Sequence, residues 1–243
     1  MDVIVTADGS KTLTSATFGE TYGSRHGALS EALHVYLRGS GVQRRLAAGL
    51  ATRVLEVGFG TGLNFLISAA AAQQHGTALR YTALEREPLA AATLAELYRD
   101  SALPSGLVGR FIAWVDALGA VAAGRFTLTA GTGAPVVLEL VVGEARDFVL
   151  GDTALTAGAH AHYDAIYLDA FSPKANSELW TQEFLSGLAQ RLEPGGTMVT
   201  FSVSGAVRRA LTAAGLLVSK APGPPAGKPQ MLIAVRPPLE PPG

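Results

Sequence analysis

Cysteine is absent from the 243 residues. That excludes disulfides, thiolate zinc sites, CxxC redox chemistry and every mechanism built on a thiol nucleophile. Among RNA-modifying reactions it removes those in which a cysteine adds covalently to a pyrimidine ring. A surplus of either charge is also missing, since 19 basic and 20 acidic side chains leave a formal net charge of -1. Proteins that coat nucleic acid carry a net basic balance, so a nucleic-acid contact here has to be a local patch. Long apolar runs are lacking too. Stretches such as 66–72 fall far short of the ~20 residues that span a bilayer. The start lacks the basic region and apolar stretch of a signal peptide. These absences lead us to expect a soluble, cytoplasmic protein with no membrane partner.

What is present describes a folded chain: 48% of residues are hydrophobic and 16% charged, the balance of a globular domain rather than a disordered one. At about 150 residues per domain the length suits one large domain with a small appendage. Residues 1–28 are polar and show little helical periodicity, and Leu29 to Leu50 reads as helix broken at Gly39-Ser40-Gly41. From there strands and helices alternate. Arg53–Val57, Arg80–Leu84, Val136–Val142, Ala165–Leu168 and Thr197–Phe201 read as strands. Thr61–Gln74, Pro88–Tyr98, Ser177–Arg191 and Ala206–Ala214 read as helices. Phe126–Thr129, Leu216–Ser219 and Met231–Val235 complete the strands, and a Gly-rich turn lies at 131–134. Such alternation implies a mostly parallel sheet covered on both faces. We expect an extension over 1–50, a Rossmann-like domain over 51–236 and a frayed proline-rich tail over 237–243.

The sharpest local signal is Leu55-Glu56-Val57-Gly58-Phe59-Gly60-Thr61-Gly62, a strand entering a glycine turn and then a helix. Glycine is needed where a backbone turns tightly and a ligand approaches closer than a Cβ permits. In an open α/β sheet this turn borders the ligand crevice. A dinucleotide fingerprint, GxGxxG, fails in both registers, because Leu63 and Phe65 stand where its third glycine belongs. The pattern instead resembles motif I of class I S-adenosylmethionine-dependent methyltransferases. Glu85 ends the second strand, where a carboxylate can accept hydrogen bonds from ribose hydroxyls. Glu144 follows the next strand, at the position that borders the adenine in many methyltransferases.

A second motif, Tyr163-Asp164-Ala165-Ile166-Tyr167-Leu168-Asp169-Ala170-Phe171-Ser172-Pro173, is a strand delivering an aspartate to the same crevice. The order Asp-x-Phe-x-Pro is similar to the (D/N)PP(Y/F) loop of amine methyltransferases. Such a reaction is an in-line displacement by a nitrogen lone pair. An aliphatic amine with a pKa of about 10 is mostly protonated at neutral pH, so its lone pair must be freed by desolvation or by a positioned acceptor. Asp169 can hold one N–H and orient the lone pair, while Phe171 stacks on a planar base. The remaining catalysis is positioning.

Longer stretches sharpen the resemblance. Asp169 to Trp180 with Lys174, Asn176 and Glu178, then Glu193-Pro194-Gly195-Gly196 and Ser204 to Leu211, resemble the methyltransferase of the MnmC/MnmD family. So do Asp8-Gly9-Ser10, Phe18 to Gly27, and Glu31-x-x-His34-Val35-Tyr36-Leu37. The resemblance covers about residues 6–236. It implies a seven-stranded class I methyltransferase fold, and methylation of the 5-aminomethyl group of (2-thio)uridine at the tRNA wobble position. It implies S-adenosyl-L-methionine held by Glu56, Gly58, Phe59, Gly60, Gly62, Asn64, Glu85, Glu144 and Ala145, with Asp169 at the amine. Tyr22, Ser24, Arg25, Glu31, Phe171, Pro173, Lys174 and Arg208 are the candidate contacts to the tRNA anticodon loop. Bifunctional members carry a flavin-dependent oxidoreductase domain. At this length we expect the stand-alone form with no flavin, so that separate enzymes supply the aminomethyl precursor.

Other features carry less. His160 and His162 lack nearby carboxylates or cysteines, so no metal is expected. Trp180, Phe184 and Leu188 recur at helical spacing and read as core. Arg44 and Arg45, like Arg209, are weak candidates for phosphate contacts. Two rival functions are an aminopropyltransferase of the spermidine-synthase kind and a non-catalytic tRNA-binding relative. The Phe-Ser-Pro after Asp169 disfavours the first, and intact glycines with Glu85 disfavour the second.

Overall fold

The structure, a computed structural model, describes residues 2–121, 123–130, 133–151 and 162–239. The polar N-terminal segment forms a hairpin of β1 (Val3–Val5) and β2 (Lys11–Leu13), paired antiparallel from Val3↔Leu13 to Val5↔Lys11. Asp8 closes its turn by accepting from the Thr6 and Ser10 hydroxyls at 2.7 and 2.6 Å, the local bonding that makes Asp a turn residue. Its other oxygen accepts the Ser30 N–H at 2.8 Å and ties the hairpin to α1 (Ala28–Glu31). That helix continues into a wide π-helical turn, Ala32–Arg38, in which the Gly39 N–H donates to the His34 carbonyl five residues back at 3.0 Å. After a turn at Gly41, α2 (Val42–Ala47) follows.

The sheet contains β3 (Thr52–Val57), β4 (Leu79–Glu85), β5 (Gly124–Ala130), β6 (Val136–Val142), β7 (Tyr163–Leu168), β8 (Leu192–Thr200), β9 (Leu217–Pro222) and β10 (Gln230–Val235). Their order is β5-β6-β4-β3-β7-β8-β10-β9. The five strands from β6 to β8 are parallel neighbours, and β10 runs against both β8 and β9. Strand order reverses between β3 and β7, the topological switch point at which open α/β sheets bind ligands. This is the class I methyltransferase arrangement, with eight described strands rather than the expected seven. The addition is β5, antiparallel to β6 at the sheet edge. Its exposed Thr127 and Thr129 alternate with buried Leu128 and Ala130, the period of a strand packed on one face.

The helices are α3 (Leu63–His75), α4 (Ala91–Leu97), α5 (Ser105–Leu118), α6 (Ala145–Leu150), α7 (Gln182–Gln190) and α8 (Gly205–Ala213). Two corrections to the sequence reading have clear causes. The helix expected over Ser177–Arg191 divides into a 3-10 turn, Ser177–Trp180, and α7. Thr181 separates them: its backbone is extended, and its hydroxyl accepts the Phe184 N–H at 3.3 Å as an N-cap. Between α4 and β5, where the sequence reading assigned no element, stands α5, which buries Leu107, Val108, Phe111 and Val115, one stripe of a helix.

Each face of the sheet has its own core. One joins Leu13, Val35, Tyr36 and Leu46 of the N-terminal segment to Phe65 and Phe111 of α3 and α5, so that segment packs as part of the sheet's own core. The other is built from Phe184, Leu185 and Leu188 of α7 with Val207 and Leu211 of α8. Trp180, Phe184 and Leu188 are buried in it. Among the described residues no helix is long and apolar enough to cross a membrane.

Candidate active site

A cleft opens at the carboxyl ends of β3, β4, β6 and β7, beneath the N-terminal hairpin and the π-helical turn. It holds about 1220 Å³ of empty space including its open mouth. The lining is acidic, with Glu20, Glu31, Glu85, Glu87, Glu144, Asp169 and Glu178 against Lys11 and Arg86.

The glycine loop forms the floor. Gly58 has φ +88°, and a Cβ there would stand 2.8 Å from the Asp169 carbonyl oxygen. Only glycine lets the loop lie against the end of β7. A Cβ at Gly60 would meet the Tyr22 ring at 2.8 Å. Gly62 turns inward, toward Phe111 and Phe59, and lets α3 pack rather than facing the cleft. Glu85 lies beside the loop. One oxygen accepts the Gly60 N–H and the other the Glu87 N–H, both at 2.8 Å. An ionised carboxylate has about four acceptor sites, so capacity remains for a ligand. Burial pushes its pKa up, against these amide bonds.

Asp169 stands at the tip of β7 in a chain of neutral donors. The Tyr36 hydroxyl donates to Oδ1 at 2.5 Å, and Asn64 Nδ2 donates to Oδ2 at 2.8 Å. The same Nδ2 donates to Glu56 Oε1 at 2.8 Å, and the Tyr81 hydroxyl to Glu56 Oε2 at 2.9 Å. Burial raises the pKa of Asp169 well above the usual carboxylate range, opposed by the bonds from Tyr36 and Asn64. Burial, and then the charge of Asp169, do the same to Glu56. Among the described residues neither carboxylate has an ion-pair partner within 4.0 Å. Glu56 is completely buried. It reaches the cleft only through Asn64.

The far wall comes from the N-terminal segment. Phe171 stacks on Phe18, with ring centroids 4.5 Å apart, and meets Tyr22 edge-on at 5.2 Å. One face of Phe171, expected to be open for a base, is therefore filled by another ring. Glu20 fixes the loop by accepting the Ser172 N–H at 2.9 Å and its hydroxyl at 2.5 Å, and Trp180 donates to the Phe171 carbonyl at 2.9 Å. Arg86 lies over Phe18 at 5.4 Å. Glu31 lines the cleft and accepts the Ser24 N–H at 3.0 Å; burial raises its pKa.

The other candidates divide. Phe59, Asn64, Glu144 and Ala145 line the cleft, with Glu144 on the exposed rim 3.8 Å from Arg86. Ser24 and Pro173 are only half-buried and stand beside the lining. Arg25, Lys174, Arg208 and Arg209 are exposed outside the cleft. Arg45 is at the opposite end of the sheet, paired with Asp164 at 2.7 Å. His160 lies outside the described residues, and His162 Nδ1 is 3.6 Å from Glu193. No group among the described residues could hold a metal ion. Sequence reasoning assigned no role to Tyr36, Tyr81, Phe18 or Glu20. Phe18, Glu20 and Tyr36 do lie inside the motifs that carried the resemblance, and that was the available signal.

The chain is also similar to known proteins. A family profile described as S-adenosyl-L-methionine-dependent methyltransferase matches residues 121–237. The chain is 38% identical over 212 residues to the tRNA 5-methylaminomethyl-2-thiouridine biosynthesis bifunctional protein MnmC of Aromatoleum aromaticum, covering 86% of this chain and 32% of the relative. To the protein of the same name in Cupriavidus necator it is 35% identical over 226 residues, covering 90% and 32%. It thus spans about a third of the length of these curated relatives. The crystal structure of MNMC2 from Aquifex aeolicus superposes with a TM-score of 0.75 at 27% identity, covering 98% of this chain and 72% of that one.

Proposed function

We propose that the chain is an S-adenosyl-L-methionine-dependent methyltransferase, the family whose profile matches residues 121–237, and that it methylates the 5-aminomethyl nitrogen of (2-thio)uridine at the tRNA wobble position. The product is 5-methylaminomethyl(-2-thio)uridine. The observation that carries the reading is Asp169, a carboxylate at the switch point held by neutral donors and adjoining the glycine loop.

The cleft suits the cofactor. Glycine backbone that a Cβ would block lines the floor, Glu85 keeps acceptor capacity for ribose hydroxyls, and the acidic lining suits a cation. Gly58, Gly60 and Asn64 would border the methionine part, Glu85 the ribose, and Glu144 with Ala145 the adenine. When bound, S-adenosyl-L-methionine supplies a methyl group on a sulfonium centre that departs as a neutral thioether. The chain's own residues prepare the acceptor. An incoming ammonium is drawn to Asp169 and Glu31, where the carboxylates replace its water. Asp169 takes one N–H proton, which frees the lone pair along a direction fixed by the bonds on both carboxylate oxygens. Phe18, Phe171 and Tyr22 form an apolar wall that excludes water from the nitrogen.

The names of the relatives support tRNA as the substrate. Arg25, Lys174 and Arg208, exposed outside the cleft, are the proposed phosphate contacts, with salt-sensitive affinity. The reading places the reaction in the cytoplasm, on tRNA that already carries the aminomethyl group. The test is incubation with S-adenosyl-L-methionine labelled in its methyl group and tRNA bearing or lacking 5-aminomethyluridine. Label is expected only in the first tRNA. Equal labelling of both, or of neither, overturns the reading.

A further inference from the structure

Tyr36 is fully buried, yet its hydroxyl ends on the one carboxylate that the proposed reaction requires. It comes from the π-helical turn Ala32–Arg38, and such turns concentrate at functional sites. One extra residue in a turn rotates the side chains beyond it by about 100° relative to those before it. Glu31 before the turn and Tyr36 within it thereby both approach Asp169. On the other oxygen, Asn64 divides its amide between two carboxylates, 2.8 Å from each. A flipped amide would set its carbonyl against two acceptors, so the orientation of Asn64 is fixed. Glu56 is fixed in turn by Tyr81.

We infer that Tyr36 and Asn64 are positioning residues that grip Asp169 from opposite oxygens and keep it an oriented proton acceptor, with Glu56 and Tyr81 as the buried anchor for Asn64. The inference rests on the reading of Asp169 as the group that receives the amine proton. The grip works against burial. A carboxylate in this pocket, with Glu31 facing it, is driven toward its neutral form, and a neutral carboxyl cannot take a proton from an ammonium. Hydrogen bonds donated to the charged form oppose that drift. The groups facing Asp169 are Tyr36 and Glu31 from the N-terminal helix, Asn64 from α3 with Glu56 of β3 behind it, and Lys228 from the turn between β9 and β10.

The experiment follows the side-chain carboxyl of Asp169 by carbon NMR in protein labelled at aspartate, with Asp169→Asn to assign the signal. Tyr36→Phe keeps the ring and deletes only the donor. The Asp169 titration should move up by about one to two pH units, the worth of one hydrogen bond to a charged group. Asn64→Ala should move it in the same direction and tests the hold from the other oxygen. The acid limb of the kcat profile should rise by a matching amount in Tyr36→Phe, so that the loss of rate is larger at pH 6 than at pH 8.5. In Tyr36→Phe the methyl-donor affinity should stay within a few fold. A titration unmoved in both variants, or a rate loss equal at all pH values, overturns the inference. Should the wild-type protein fail to methylate aminomethyl tRNA, the proposed function falls, while the titration of the protein alone still decides whether Tyr36 and Asn64 hold the carboxylate.

Discussion

The two ends of strand β7 carry the same residue in opposite settings. Asp164, at its start, is paired with Arg45 at 2.7 Å and also accepts the Arg53 N–H at 2.7 Å. Next to it Arg53 pairs with Glu193 at 2.6 Å. Asp169, just past the end of the strand, accepts hydrogen bonds among the described residues from the neutral donors Tyr36 and Asn64, and Glu56 and Glu85 nearby are likewise held by hydroxyl, amide and backbone N–H groups. Cations neutralise the carboxylates at the amino end of the sheet. At the carboxyl end Arg86 pairs with Glu87 and Glu144 on the rim, but among the described residues Asp169, Glu56 and Glu85 have no ion-pair partner within 4.0 Å. A buried charge without a counter-ion costs stability, so a fold that keeps several together is arranged for a cation that arrives from outside. Both reactants of the proposed reaction, a sulfonium and an ammonium, have that charge.

One chemical change applied at each end of β7 should separate the two settings. Asp169→Asn removes charge and proton acceptance while keeping the shape. Its turnover should fall by about 10³-fold or more, within the range for a positioned acid–base group. Unfolding in urea should show no loss of stability, because a buried carboxylate without a counter-ion has been neutralised. Near-normal turnover would show that Asp169 does not receive the proton. The next largest effect concerns the cofactor side. Glu85→Gln should weaken binding of the methyl donor by about 10- to 100-fold, the loss of charge-assisted bonds to a diol, with calorimetry as the measurement. Unchanged affinity would place the ribose elsewhere.

How much of this was legible in the chain depends on the distance over which the information is written. The glycine loop, Glu85 and Asp169 are announced locally, because a strand must end and a turn must bend where they stand. Their common location at the switch point follows from the βα rhythm alone. Helix α5 was legible as well in Leu107, Val108, Phe111 and Val115, but Gly106 and Gly109 obscure the stripe. The division at Thr181 turns on one capping hydroxyl. The grip of Tyr36 on Asp169 spans 133 positions, and the clamp of Glu20 on Ser172 spans 152. No periodicity encodes such a contact. The filled face of Phe171 is the same case, since Phe18 comes from the far end of the chain.

The smallest effect lies at the amino end and tests whether the charge there is merely structural. Asp164→Asn can keep the bond from the Arg53 N–H and loses only the attraction to Arg45. The Arg45 side chain is 37% exposed, so solvent screens the pair and its loss should cost about 0–1 kcal/mol, less at high salt. Asp164→Ala also strands the Arg53 N–H and should cost about 1–3 kcal/mol. Both variants should bind the methyl donor and turn over as the wild type does, since Asp164 and the cleft lie at opposite ends of the sheet. The measurement is denaturant unfolding at two salt concentrations beside the methyl-transfer rate. A rate that falls with Asp164→Asn while stability holds would mean that the two ends of β7 are coupled through the strand, and that the division between a neutralised end and a charged end is not the basis of the site.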